Sequence, residues 1–574
     1  VTARASPART ARIAPPLSAA RPAASCGTDA NLADVKTIAP LPSKLNRCAR
    51  GALALGMLVA GLLPIGVRAD TSTMRITMKE QPNALNPLIT TQFTENYLTE
   101  AIFSGLTKLD DHERAIPDLA QTVPSVANGG ISRDGKTIVY HLRRNARWQD
   151  GVPVTADDVV FTFAKIRDDR VPYVSRALYD AVTRVEARDP YTVVVHLAHA
   201  EPDAMLEIFV AGQNGEIVPK HLLDHVDDML HAPFNAAPIG SGAYRLERWD
   251  RGSSVTLRAN AAYFAGAPTI DRIVVSFVPD SNTRALSVLS HDSDLAPIEP
   301  VNAPAAAATA GVRVVSLVQP TLVYLHFRVD VPPLDDLRLR RALTLPLDRR
   351  AIADKTYLHE AEPATEIIMP ESPFFTTPSV PAPNPAEARA ALDAAGWHPG
   401  PDGIRVRGGQ RLSIVITCIA GDASNLRTAV AVQSAWRDIG VESAVRPLPQ
   451  NLLYGPTGTL ASGDFSVALT TYSFPITPDR TEFLAIAGIP PSGYNYGRFR
   501  DKTLDALMSR AHYSLDPAER RRLYAQVAAR VDAEIPVYPL VWKKAVFAIA
   551  TRVDGVSPEP VNSDFWNVTN WRLH

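Results

Sequence analysis

Hydrophobic positions along the chain switch repeatedly between a period of two and a period near 3.6, and the switches lay out an α/β protein. Met74–Met78 alternates as a strand, Ala84–Pro87 reads as a turn, and Asn96–Phe103 has helical spacing that ends at Gly105. Thr137–Leu142 alternates again, and Gln149–Gly151 is a turn. Thr155, followed by Asp157 and Asp158, predicts a capped helix through about Ile166, with acids placed where the helix dipole favours them. Tyr191–Leu197, Val255–Arg258 and Arg272–Phe277 read as strands, Ile239–Tyr244 as a tight loop entering one, and Thr283–Leu289 as a short helix.

From about Thr321 the texture changes. Asp335 and Asp336 start a basic helix over Leu337–Thr344. Residues 363–385 contain seven prolines, which predicts a long loop. Asn384 and Pro385 cap and start a helix that stops at Gly396. Leu412–Ile419 is an apolar run of strand length, followed by a helical pattern to Ile439 and Gly440. Asp516, Pro517 and Glu519 supply an N-cap, a first-turn proline and a capping-box acid for a helix to about Val531. Val537–Trp542 and Ala545–Ile549 read as two further strands.

With 574 residues the chain is too long for one core, so two or three lobes are expected. Residues 1–69 hold nine Lys/Arg against two Asp/Glu, leaving 50 basic and 58 acidic side chains in the rest. A mildly acidic body without a basic stripe excludes a nucleic-acid-binding reading. Lys44, Arg47 and Arg50 precede the uncharged run Gly51–Val67, and Val67 and Ala69 put small residues at a cleavage site before Asp70. Basic, apolar, then small is the order of a secretory signal. Cys48 lies before the apolar run rather than after it, which argues against lipidation. Residues 1–34 are rich in Ala, Arg and Pro, and the first Met is Met57; they read as an over-extended or disordered stretch, with the signal at 35–69. Of the cysteines Cys26, Cys48 and Cys418, only Cys418 lies in the body, inside an apolar run that predicts a buried strand thiol.

An ordered set of segments resembles one family, the family 5 extracellular solute-binding proteins. It comprises Ala84–Pro87, Ile102–Thr107, Pro117–Ala120, Ser132–Arg143 continuing through Trp148–Phe161, Gly240–Tyr244, Asn260–Tyr263, Leu337–Leu343 with Asp348 and Arg349, Gly463–Phe465, and Asp516–Arg520. Together these span about residues 74–555. The resemblance implies an α/β, two-lobed periplasmic binding protein fold, type II-like with an extra subdomain, built of mixed sheets and flanking helices. It implies lobe one at 70–109, the subdomain at 110–237, lobe one again at 238–320, lobe two at 321–534, and a return to lobe one at 535–574. It also implies a monomer in the periplasm that closes a cleft around a peptide or peptide-like solute and passes it to the permease subunits of an ABC importer, with no enzyme activity and no cofactor.

Carried over residue by residue, the resemblance places three segments at the cleft: Thr91, Gln92 and Phe93; Thr471, Tyr472, Ser473, Phe474 and Pro475; and Tyr494, Asn495 and Tyr496. Peptide-binding members place an Asp where this chain has Pro475, to pair with the ligand's ammonium. Proline offers neither charge nor N–H. Either Asp479 substitutes from the same loop, or the solute carries no required free amine. A receptor for a nickel complex, haem or another non-peptide solute stays open as an alternative. A secreted hydrolase is the alternative of another class, although neither G-x-S-x-G nor H-E-x-x-H occurs. His221 and His225, with Asp224 and Asp228 nearby, have spacing that can bind a divalent ion, and a solvated helix face is the blander reading.

Overall fold

The computed structural model describes residues 72–90, 93–376, 379–455, 457–474, 477–558 and 565–574, with backbone only at Phe93. All of them fall within one unit, Arg68–His574. The expectations for residues 1–69, including Cys26 and Cys48, and for Thr91, Gln92 and Pro475 lie outside the described residues.

The capping chemistry sets the helices where the sequence puts it. Thr155 opens Ala156–Ile166 through a reciprocal box, its N–H donating to the Asp158 carboxylate at 2.8 Å. Asp336 caps Leu337–Thr344, Asn384 caps Pro385–Ala394, and Asp516 caps Pro517–Glu534. Each supplies an oxygen to N–H groups that a helix start leaves without partners.

One sheet of eleven strands carries both lobes. Its order is Glu442–Leu448, Ser413–Ile419, Val467–Ser473, Val312–Phe327, Val537–Ala550, Leu295–Ile298, Thr73–Met78, Arg272–Phe277, Ser254–Ala259 and Tyr244–Asp250, with Ala361–Pro363 added beside Val537–Ala550. The two long antiparallel strands in the middle change lobes along their length. Val312–Val318 pair with Lys544–Ala550 in lobe one, the register breaks, and Leu322–His326 pair with Val537–Trp542 in lobe two. The expectation of two strands at 537–549 is therefore corrected to a single strand, Val537–Ala550. Lys543 and Lys544 interrupt the apolar pattern because they face the space between lobes, not because the chain turns there.

Side-chain alternation on the crossing strands builds a separate core on each face of lobe two. Val323, Leu325 and Phe327 point into one cluster with Trp436, Leu469 and Cys418. Leu322 and Tyr324 point into the other, with Phe474, Phe483 and Trp542. Cys418 is a buried free thiol, pushed up by burial, as its apolar run predicts. In lobe one a single cluster joins Met74 and Ile76 to Tyr140, Val159 and Val195. The small sheet of Thr137–His141, Thr192–Leu197 and Val182–Asp189 thus shares its core with the main sheet.

Candidate functional site

Parallel strands end on the same side, and both lobes turn such ends toward one space. Thr73–Met78 runs parallel to Leu295–Ile298, and Ser413–Ile419 runs parallel to Val467–Ser473. Open α/β sheets bind ligands beyond these carboxyl ends. A cavity of about 1210 Å³ lies there, larger than the ~300–1,000 Å³ of ordinary small-molecule pockets.

Lobe one lines it with Met78, Lys79, Tyr97 and Pro297–Val301. The crossing strands supply Gln319, Lys543 and Lys544, and lobe two supplies Lys355–Leu358, Gly421–Ser424 and Arg427. The lobe-two wall is held by local bonds. Asp422 caps Ala423–Asp438 by accepting from the Asn425 N–H at 2.9 Å. Arg427 donates to the Thr356 carbonyl at 3.1 Å and to the Ser424 hydroxyl at 2.9 Å, tying the helix start to the loop after Ile352. The Tyr357 phenol is pushed up to about 12 by burial. Lys544 pairs with Glu362 at 2.6 Å and Lys79 with Glu80 at 3.3 Å. The lining thus combines long apolar stretches with a few charges of both signs, which suits a solute with polar groups spaced along its length.

The expected cleft residues of lobe two lie on the adjoining strand end and the loops covering it. Asn425 donates to the Thr471 hydroxyl at 3.3 Å, so this strand end touches the helix that lines the cavity. Tyr472, Phe474 and Tyr494 meet around Phe483, at ring separations of 4.4, 4.6 and 5.1 Å. Phe474 is buried, while Ser473 is exposed and shares a 2.8 Å hydroxyl contact with Thr321. Tyr496 packs edge-on against His326. Asn495 is buried, and its amide donates to the carbonyls of Leu484, Ala485 and Phe499 while accepting from the Phe499 N–H. Phe93 opens the helix Phe93–Ile102, which carries Tyr97 to the cavity.

Asp479 is engaged within the protein. It accepts from the Thr481 N–H at 3.0 Å and hydroxyl at 2.6 Å, and it lies 3.4 Å from His512. Burial opposes its charge, but the His512 and Thr481 bonds hold the carboxyl below the usual range. The histidines of 221–231 separate. His221 faces Asp150, His225 faces Asp224 and His231 faces Asp228, because the helix spans only Lys220–Leu223 and His225 falls beyond it. Among the described residues, no group of three His, Cys, Asp or Glu is placed to hold a metal ion.

Sequence reasoning missed most of the cavity lining. The one available signal was the junction Ile419–Asp422, where a buried strand hands over to a helix start. It also missed His326, which is buried with neither ring nitrogen hydrogen-bonded, its pKa pulled down to about 3 by burial.

Residues 115–493 match the family model for bacterial extracellular solute-binding proteins, family 5 middle. The chain is similar to the oligopeptide-binding protein AppA of Bacillus subtilis, 25% identical over 503 residues that cover 86% of this chain and 90% of that one. It is also similar to Protein XP55 of Streptomyces lividans, 28% identical over 508 residues, 86% and 88% of the two chains. The fold superposes on the ABC transporter substrate-binding protein CtaP of Listeria monocytogenes with a TM-score of 0.76 at 25% identity, covering 87% of this chain and 99% of that one. No described helix is long and apolar enough to cross a membrane.

Proposed function

The chain belongs to the bacterial extracellular solute-binding proteins of family 5, and on that premise we propose that it captures an extended peptide or peptide-like solute between its lobes for an ABC importer. The observation that carries the reading is the cavity of about 1210 Å³ walled by both lobes and floored by the two strands that join them. Solute contacts made on both walls exist only when the lobes are together, so they shift the protein toward its closed form. A swing from 1:99 to 99:1 takes roughly 5.5 kcal/mol of differential binding, within reach of main-chain hydrogen bonds to an extended ligand.

We divide the roles accordingly. The lining residues Lys355, Arg427 and Gln319 meet the solute, and Thr471–Phe474 with Tyr494–Tyr496 hold the wall behind them. Asp479 is already committed to Thr481 and His512, so the solute is one that needs no carboxylate partner for a buried ammonium. The working form is the chain after removal of the signal at 35–69, without a lipid, free in the periplasm and catalytically inert.

Mass spectrometry of whatever co-purifies with native protein tests this. A ladder of peptide-like masses is the expected result. A nickel complex or haem would move the reading to the alternative solute class. Turnover of an ester or peptide that a single Ser or Asp substitution abolishes would replace it with a hydrolase.

A further inference from the structure

Away from the crossing strands, lobe one touches lobe two a second time, and this contact is built from charge. Asp203 and Arg520 form a bidentate pair at 2.8 and 2.6 Å. They are 317 positions apart, and each side chain is only 8% exposed. Beside them His512 reaches both ways, with Nε2 3.3 Å from Glu201 and Nδ1 3.4 Å from Asp479. The His199 ring meets Tyr513 edge-on at 5.0 Å. Gly135 gives this contact room, since a Cβ there would sit 2.8 Å from both the Ala200 methyl and a Leu515 methyl.

The two sides belong to different cores. Met205 and Ile208 pack into the lobe-one cluster. Leu523 and Val527, on the helix that carries Arg520, pack into lobe-two clusters. None of the hydrophobic clusters among the described residues joins the segment 199–207 to the segment 512–524. An apolar seam would weld the lobes. A buried ion pair behaves differently, because the cost of desolvating both ions nearly offsets their attraction, so the contact is specific in geometry and small in net energy. That is the balance a reversible closure needs.

We propose that the Asp203–Arg520 pair, with the Glu201–His512–Asp479 chain beside it, is a latch that holds the lobes together around an empty cavity. The proposal rests on the reading of the cavity as a solute site but concerns the solute-free state. Solute then reaches the cavity when the latch opens, and re-forming it adds to closure over the bound solute. Glu207 stands behind the latch. Burial, with Asp203 and Glu201 next, pushes its carboxyl up to about 8, so it adds no third negative charge at neutral pH.

The test is small-angle scattering on protein refolded from denaturant to strip it of solute. The wild type is expected to have the radius of gyration of the closed form. Asp203→Asn and Arg520→Gln are expected to expand it, and the charge swap Asp203→Arg with Arg520→Asp to bring it back. Amide exchange at residues 204–208 and 511–520 is expected to accelerate about tenfold in the single variants, the opening a lost contact of about 1.4 kcal/mol allows. A solute-free wild type that is already expanded overturns the proposal, as do single variants with wild-type radius and wild-type exchange. If a single variant fails to fold, His512→Gln, at a partly exposed position, decides in its place, and an unchanged radius there overturns it. Co-purifying solutes are read on unstripped protein, so failure of the solute reading and failure of the latch give different results.

Discussion

Replacing Phe474 by Ala separates a wall-holding role from a ligand contact. The side chain is 4% exposed. Its ring lies 5.3 Å from Tyr472, 4.6 Å from Phe483 and 6.2 Å from Trp542, with the Arg480 guanidinium 4.4 Å over its face. Truncating a buried aromatic costs about 3–5 kcal/mol in lost transfer energy and residual cavity. The lost cation–π contact, worth about 1 kcal/mol for a desolvated Arg, places the change toward the upper part of that range. Arg480 would keep its bonds to the Ile367, Thr477 and Asp479 carbonyls, so the loop should stay tethered rather than unravel. The assay is urea denaturation followed by tryptophan emission, with Trp542 as the nearby reporter. With a denaturant slope near 3 kcal/mol per molar, the lobe-two midpoint should fall by about 1 M or more. Ser473→Ala, on the neighbouring exposed residue, should change stability by under about 0.5 kcal/mol. If Phe474→Ala instead left the midpoint in place and abolished solute uptake, the packing argument would be wrong and Phe474 would be a direct contact.

Three further outcomes are expected. Ala423→Trp, at an exposed position on the lobe-two wall, should cut solute binding at least about tenfold while leaving the thermal midpoint within a few degrees, as calorimetry with the co-purified solute would show. Asn495→Ala should cost about 2–4 kcal/mol by thermal unfolding, because three carbonyls and one N–H lose a buried partner together. Glu207 has a folded pKa raised from 4.5 to about 8, so the folded state binds its proton more tightly than the unfolded state does. Its contribution is present below about pH 4.5 and is lost as pH rises toward 8. Glu207→Gln should therefore flatten the fall in stability over that window and leave the variant more stable above pH 8, by on the order of 1–3 kcal/mol after allowance for its partial exposure. Equal slopes for the two proteins in denaturation at pH 5, 6, 7 and 8 would remove Glu207 as the cause.

Local signals in the sequence reached as far as the elements themselves. The box at Thr155 and Asp158, the caps at Asp336, Asn384 and Asp516, and the alternation at Met74–Met78 each depend on residues within a few positions of one another, and each element forms where those residues lie. The family resemblance carried the two-lobed fold across the chain. Neither could show that Val537–Ala550 is one strand shared by two lobes, because the break in its pattern at Lys543 and Lys544 comes from a space that exists only once both lobes are assembled. Asp479 read equally well as a solute anchor or a turn acid until His512 and Thr481 were brought to it. The cavity wall from Lys79 to Arg427 and the pairing of Asp203 with Arg520 join residues hundreds of positions apart. Neighbours along the chain impose short-range stereochemistry, hydrogen bonding and periodicity. Which distant charges and surfaces face one another follows only from how the sheet and its two lobes close.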